Sequence, residues 1–454
     1  MQNINWNLFE DHLQTLIKKE NIPGAAVAVA QNGEIIYQKG FGVSDIITKQ
    51  PVTPDTIFGI ASITKSFTAM VIMQLAKQGM LSVNDPVTNY LPEFKVRGRE
   101  DLNSIKIHHL LTHTTGLPPM KRREGLNKFD EHLEYLATEQ YELLGKPGEY
   151  FSYCNDTFLL LGAIIERLTG RLFRRYVTEQ VLTPLNMNRS TFSLEEVSKF
   201  HNVSVPYEWN VETEKLECCS WPALGNYEVG GGIRSTVIDL LKYGHRFVGN
   251  RSSNDTSILN KEDLREMWNP VHRVGRNSFY GYGLKMTPHY SNLTLVEHGG
   301  SQPGVSSHFG FVPEKQLVAA VLTNGSAVSV SEIWLAAINT ALGLPIEKKR
   351  SIEPHYEASL QELQRFVGTY RTEEQGELTI LLDEDTLKAE SGGRQFDLRA
   401  SGADTLVIKN KDEPIRFFFK NRNQPWAALF GSRMYRRLES CSFKEVYPSK
   451  RRTF

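Results

Sequence analysis

The sequence predicts an α+β fold class, and three observations carry that prediction. The stretch Phe58–Gly79, FGIASITKSFTAMVIMQLAKQG, spreads apolar residues over most of a helix circumference, which suits a helix buried inside a domain. Between Leu293 and Gly325 three β-type runs, LTLVEH, SSHFGFV and QLVAAVLTN, are separated by turn residues and followed by a helical pattern over Val330–Leu342. Beyond residue 356 the runs FVGTY, ELTILL, TLKAE, QFDLR, TLVIK, IRFFF, WAALF and MYRRL recur at short, even spacing. That spacing is the signature of a small antiparallel barrel or sandwich.

The remaining elements follow in chain order. Trp6, Phe9, Leu13, Leu16 and Ile17 recur at helical spacing and give an amphipathic first helix. AAVAVA and EIIYQKGFG flank Gln31-Asn32-Gly33, a hairpin pattern. After the buried helix, Asp85-Pro86 and Leu91-Pro92 mark a turn-rich connection. HHLLTHTTGLP, His108 to Pro118, reads as a helix ending at Gly116. Tyr153-Cys154-Asn155 precedes an apolar helix from about Thr157 to Leu168, stopped by Gly170. Gly230-Gly231-Gly232 enters a helix whose Thr236 and Asp239 have capping spacing, and close backbone packing is the better account of the triple glycine than a phosphate cradle. Residues 345–357 look like a linker. The domain boundaries are set at 1–346 for a first domain, 347–355 for the linker, 356–440 for the barrel and 441–454 for a basic tail.

Composition narrows the function classes. The chain has 454 residues, 40% of them hydrophobic and 23% charged, with zero formal net charge. Such a balance gives no reason to expect a nucleic-acid partner. The apolar runs are too short to span a bilayer and no signal-peptide pattern opens the chain, so no membrane partner is expected. Cys154, Cys218, Cys219 and Cys441 show neither metal-ligand spacing nor a disulfide framework, and the chain reads as cytoplasmic with free thiols. His109 and His113 stand at i and i+4, but no glutamate lies between them and no third ligand is evident, so no metal site is expected. No cofactor is implied.

Chemistry enters with Ser62 and Lys65, in the order SITK. Residues three apart on a helix share a face, so hydroxyl and amine can meet. Burial in an apolar helix disfavours the charged form of a lysine, which could then take the serine proton. The handful of residues in an S-x-x-K pattern is weak evidence alone. Ser62 could equally be an N-cap and Lys65 a snorkelling residue.

The order SITK, YCN, HGG resembles the serine β-lactamase and penicillin-binding-protein superfamily, in its class C-like branch. FGIASITKSFTAM, IHHLLTHTTGLP, PGEYFSYCN, LTPLNMNRSTF, GGGIRSTVIDLLKY and HGGSQPGVSSHFGFVPEKQLVAAVLTN occur in that branch's order, over about residues 5–345. The resemblance implies a β-lactamase-like fold, an antiparallel sheet built from both termini flanked by helices and joined to a helical subdomain. A lipocalin-like barrel would follow. It also implies roles: Ser62 as nucleophile, Lys65 as its activator, Tyr153 as proton relay, and Asn155 as a holder of Lys65 and a substrate amide. His298, Gly300 and Ser301 would bind substrate, with the N–H groups of Ser62 and Ser301 as oxyanion hole.

His298-Gly299-Gly300 replaces the Lys-Thr-Gly of β-lactamases, and a histidine with an ordinary pKa near 6.5 lacks lysine's permanent charge at neutral pH. The resemblance therefore implies a peptidase (D-amino-acid-specific activity included) or an esterase/amidase, taking a small peptide, ester or amide. The rivals are a weak β-lactamase or D-alanyl-D-alanine carboxypeptidase and, from another class, an idle penicillin-binding sensor or scaffold. A homo-oligomer is compatible with the sequence.

Overall fold

The run AAVAVA is apolar at every position because both of its faces are covered. In the computed structural model, which describes residues 4–249, 259–374, 376–409, 411–420 and 424–438, this run forms β1 (Gly24–Gln31). Ala26 and Ala28 join the core that holds Phe67 and Met70, whereas Val27 and Val29 join the core that holds Phe9, Leu13 and Trp334. β1 turns through Asn32 and Gly33, both at positive φ (54° and 86°), into β2 (Glu34–Gly42). Two consecutive positive-φ residues suit the hairpin twist, and Asn-Gly supplies them at least cost.

The later strands are β3 (His272–Gly275), β4 (Ser278–Tyr280), β5 (Lys285–Tyr290), β6 (Leu293–Gln302), β7 (Val305–Val312) and β8 (Leu317–Thr323). The eight strands make one sheet in the order β2-β1-β8-β7-β6-β5-β4-β3, with every pair antiparallel. The first strand of this sheet in chain order thus pairs with the last, with Ala28 opposite Ala320.

Four helices cover the sheet: α1 (Asn7–Lys19), α2 (Thr64–Lys77), α3 (Val237–Val248) and α4 (Val330–Leu342). α1 and α4 pack on one face, and α2 and α3 on the other. Phe67 of α2 stacks on Tyr243 of α3 with ring centroids 3.7 Å apart. Phe67, Met70, Ile72 and Leu75 are fully buried, and each such side chain contributes roughly 1.5–3 kcal/mol relative to exposure. α2 is therefore a fixed post on which a site can be built.

The His-rich segment departs from expectation. Its helix spans Ile107–Leu111 and ends five residues before Gly116, because His113 turns into the left-handed region at φ 55°. Left-handed backbone cannot continue a right-handed helix.

The second unit is a closed barrel of eight antiparallel strands from Gly368–Thr372 to Arg433–Arg437, in which the first pairs with the last. Tyr370, Ile380, Leu406, Ile415 and Phe417 fill its interior, one face of each alternating run. The division between units falls after Ile352. Residues 347–352, the first part of the expected linker, are held by the first unit. Lys348 offers its carbonyl to Tyr290 Oη (3.2 Å) and Asn339 Nδ2 (3.0 Å), and Arg350 pairs with Glu297. Residues 353 and 354 are held by the second unit, where Arg399 donates to the carbonyls of Glu353 and Pro354. Cys441 and the basic tail lie outside the described residues. Among the described residues no helix is long and apolar enough to cross a membrane.

Candidate active site

Ser62 stands in a short 3-10 turn, Ala61–Ile63, immediately before α2. Ala61 enters that turn at φ 45°, a conformation non-glycine residues rarely adopt and one that clusters at functional sites. One turn on, Lys65 is 1% exposed and directs Nζ to Ser62 Oγ at 3.3 Å and to the Gly230 carbonyl at 3.0 Å. The triple glycine explains itself here. A Cβ on Gly230 would stand 2.7 Å from Lys65 Nζ, so the backbone approaches the amine because no side chain intervenes. Thr68 Oγ1 donates to the Val229 carbonyl (2.7 Å) and Thr64 Oγ1 accepts from Ile233 N–H (3.2 Å), fastening the same segment to α2.

Tyr153 also lies close to the amine. Its ring centroid is 4.9 Å from Lys65 Nζ, and that of Phe158 is 5.4 Å away. The Tyr153-Cys154-Asn155 turn is held by His113, which accepts the Cys154 N–H at Nδ1 (3.2 Å) and the Ser152 N–H at its carbonyl (2.9 Å). The His113 and Tyr153 rings are 4.1 Å apart. The left-handed backbone at His113 thus has a consequence: it turns both groups toward the tyrosine motif. Asn155 opens the helix Asn155–Phe158 and is half-buried, while Cys154 is a buried filler.

β6 supplies the third part. Gly300 passes the turn that carries Ser62, where a Cβ would fall 2.4 Å from the Ile60 carbonyl oxygen and 3.0 Å from Ala61 Cβ. Ser301, the next residue, is exposed. His298 is 7% exposed on the same face of β6 as Gly300, with its ring 6.2 Å from that of Tyr153. Burial, with the Lys65 charge nearby, pushes its pKa down to about 3, so the ring is neutral at physiological pH. Its tautomer follows from its partners. Nδ1 lies 2.6 Å from the Gly299 carbonyl, which can only accept, so Nδ1 carries the hydrogen. Nε2 must then accept from Tyr280 Oη at 2.9 Å. Both ring nitrogens are therefore engaged within the protein.

Sequence reasoning brought Ser62, Lys65, Tyr153, His298 and Gly300 into view, and the fold brings them together. It missed Tyr280, which sits in an ordinary aromatic run with no spacing signal, and the bracing role of His113. Two neutral histidines predict an acid weakness. His298 and His109, the latter lowered to about 4 mainly by burial, bind no proton when folded at pH 5, whereas unfolded histidines do below about 6.5. Their contribution is complete above that value and falls as pH drops toward the folded pKa, by about 1.4 kcal/mol per unit for each histidine. Thermal unfolding should show Tm falling steadily from pH 7 to pH 5. A flat Tm over that range would contradict the neutral assignments.

A half-buried serine reached by a buried lysine, where a sheet strand crosses the start of the central helix, is the arrangement of the beta-lactamase family, whose members are serine hydrolases. The chain belongs to that family, whose model, described as Beta-lactamase, matches residues 9–341. It is similar to Protein flp of Staphylococcus aureus (strain MW2), at 28% identity over 312 residues, covering 68% of this chain and 61% of that protein. The match therefore spans about three-fifths of that relative's length. It is also similar to Penicillin-binding protein 4* of Bacillus subtilis (strain 168), at 25% identity over 415 residues, covering 84% and 88% of the two chains. Among solved structures, the octameric penicillin-binding protein homologue from Pyrococcus abyssi superposes with a TM-score of 0.69 at 28% identity, covering 95% of this chain and 99% of that one. SurE shares the fold, with a TM-score of 0.74 at 21% identity and coverages of 95% and 99%.

Proposed function

We propose that the protein hydrolyses small peptides, esters or amides through an acyl-enzyme on Ser62, D-residues included among its peptides. The observation that carries this reading is the 3.3 Å approach of Lys65 Nζ to Ser62 Oγ, with the rings of Tyr153 and Phe158 against the amine. Ser62 Oγ attacks the substrate carbonyl and passes its proton to Lys65, which takes part as the neutral amine because an ammonium has no lone pair to accept it. The oxyanion is stabilised by the N–H groups of Ser62 and Ser301. Tyr153 delivers the proton to the leaving group, and Asn155 orients Lys65 and the substrate amide. Water then attacks the ester by the reverse route. No nucleic acid, membrane or cofactor enters this scheme, and a cytoplasmic location suits it. The octameric relative supports a homo-oligomer.

Esters and peptides are favoured over β-lactams because position 298 supplies no cation. A neutral imidazole bonded to Gly299 and Tyr280 offers nothing to a substrate carboxylate. A panel of p-nitrophenyl acetate, D-alanine and L-alanine p-nitroanilides and nitrocefin tests this. Ester or anilide turnover should exceed nitrocefin turnover in kcat/KM. Faster nitrocefin hydrolysis would make the protein a β-lactamase instead, and no turnover or fluorophosphonate labelling of any kind would make it an idle member.

A further inference from the structure

Directly behind His298, on the opposite face of β6, lies a buried charged cluster that the chemistry above does not use. Successive residues of a strand face opposite sides, so Glu297 and Gly299 point away from the face that carries His298 and Gly300. Glu297 is 2% exposed. Its carboxylate accepts from Arg350 Nε (2.7 Å), Arg350 Nη2 (2.5 Å) and His308 Nε2 (2.8 Å). Arg350 comes from the segment after α4, and His308 from β7. The guanidinium also donates to the Ser331 carbonyl (3.3 Å) and lies 5.6 Å from the Trp334 ring.

The cluster bears on the strand without slack. A Cβ on Gly299 would stand 3.3 Å from His308 Nδ1, and one on Gly310 would stand 2.9 Å from Glu297 Cβ and 2.6 Å from Trp334 Cζ2. A buried ion pair adds little net stability, since desolvation offsets its attraction, but a two-pronged Arg–carboxylate pair fixes direction. Glu297 is one residue from His298 and four from Ser301.

We propose that Arg350, acting through Glu297, is a positioning residue that fixes the His298–Ser301 stretch of β6 against the turn carrying Ser62. The proposal rests on the reading of Ser62 as nucleophile. Arg350 holds the Glu297 carboxylate with two donors, so Glu297 is matched whatever His308 does. Burial, with the Arg350 charge beside it, lowers the His308 pKa, and Lys285 of β5 acts in the same direction. Tyr290 of β5 is the other titratable group beside the cluster, and His298, on the opposite face of β6, feels the charges of Glu297 and His308 through the strand. Without Arg350, Glu297 would be left with His308 as its nearest partner. The strand would then be held well when that imidazole is protonated, and poorly as rising pH removes the proton.

The test uses the full chain as wild type, Arg350→Met and Arg350→Lys, with Ser62 labelling by a fluorophosphonate and ester kcat and KM followed from about pH 5.5 to 8.5. Arg350→Met should lower the labelling rate and kcat at high pH roughly 10- to 100-fold, with KM little changed, as an ångström-scale misplacement does. It should also acquire an ionisation, with the loss shrinking toward low pH. Arg350→Lys keeps the charge but not the fork, so labelling should fall several-fold with the native pH profile. If Arg350→Met does not fold, Arg350→Lys decides alone. Native rates and profiles in the folded variants, with only Tm lowered, would overturn the positioning role and leave Ser62 in place. A wild-type protein that never labels at Ser62 would overturn the functional reading, and this inference with it.

Discussion

With Ser62 as the proposed nucleophile, Ser62→Ala should remove covalent labelling and lower kcat by about 10⁴-fold or more. Three neighbouring hydroxyls are committed elsewhere. Thr64 accepts from Ile233, Ser66 donates to the Ile63 carbonyl, and Ser307 donates to the Ile60 carbonyl. Lys65→Met, which keeps the buried volume, should slow acylation by roughly 10²- to 10⁴-fold. It should leave folding nearly intact, since methionine fills irregular apolar space. Stopped-flow acylation with a chromogenic ester reads both variants. Lys65→Met acylating at the native rate would show that another group takes the Ser62 proton.

Gly300→Ala is the second large effect, and it tests geometry instead of chemistry. The new methyl would meet the Ile60 carbonyl and Ser307 Oγ, each at 2.4 Å. Neither is the free end of a flexible chain: one is backbone, and the other is tied to that same carbonyl. The strand must therefore withdraw from the Ser62 turn. Overpacking of this kind costs about 1–3 kcal/mol. With the Ser301 N–H as the proposed oxyanion donor, its displacement should cost about 10²-fold or more in kcat, on the scale of losing one such donor. Circular dichroism separates the two contributions. A folded Gly300→Ala protein with native kcat would mean that β6 does not line the reaction site.

The parts of the fold legible in the sequence are those where local pattern and tertiary role agree. The all-round apolar helix, the Asn-Gly hairpin, the doubly covered strands β1 and β8 and the alternating barrel strands each carry their own period. Ser62 and Lys65 could be paired because helix geometry alone joins residues three apart. Elsewhere the partners are remote in sequence. Tyr280 meets His298 across the sheet, and Gly230 meets Lys65 from 165 residues away. Nothing in the local spelling records such contacts. The early end of the helix at Leu111 escaped because a left-handed histidine has no propensity signature. It is held there by the backbone of Ser152 and Cys154, some 40 residues on. Arg350 looked like part of a linker because its carboxylate partner lies 53 residues earlier.

In the proposed reaction the acyl group passes through Ser62. Wild-type protein turning over a slow ester should be quenched in acid within the first turnovers and its intact mass recorded, then digested. A mass increase equal to the acyl group, localised to the peptide containing Ser62 and decaying as substrate is exhausted, is the predicted result. Continued hydrolysis with no adduct, or with the adduct on another residue, would contradict it.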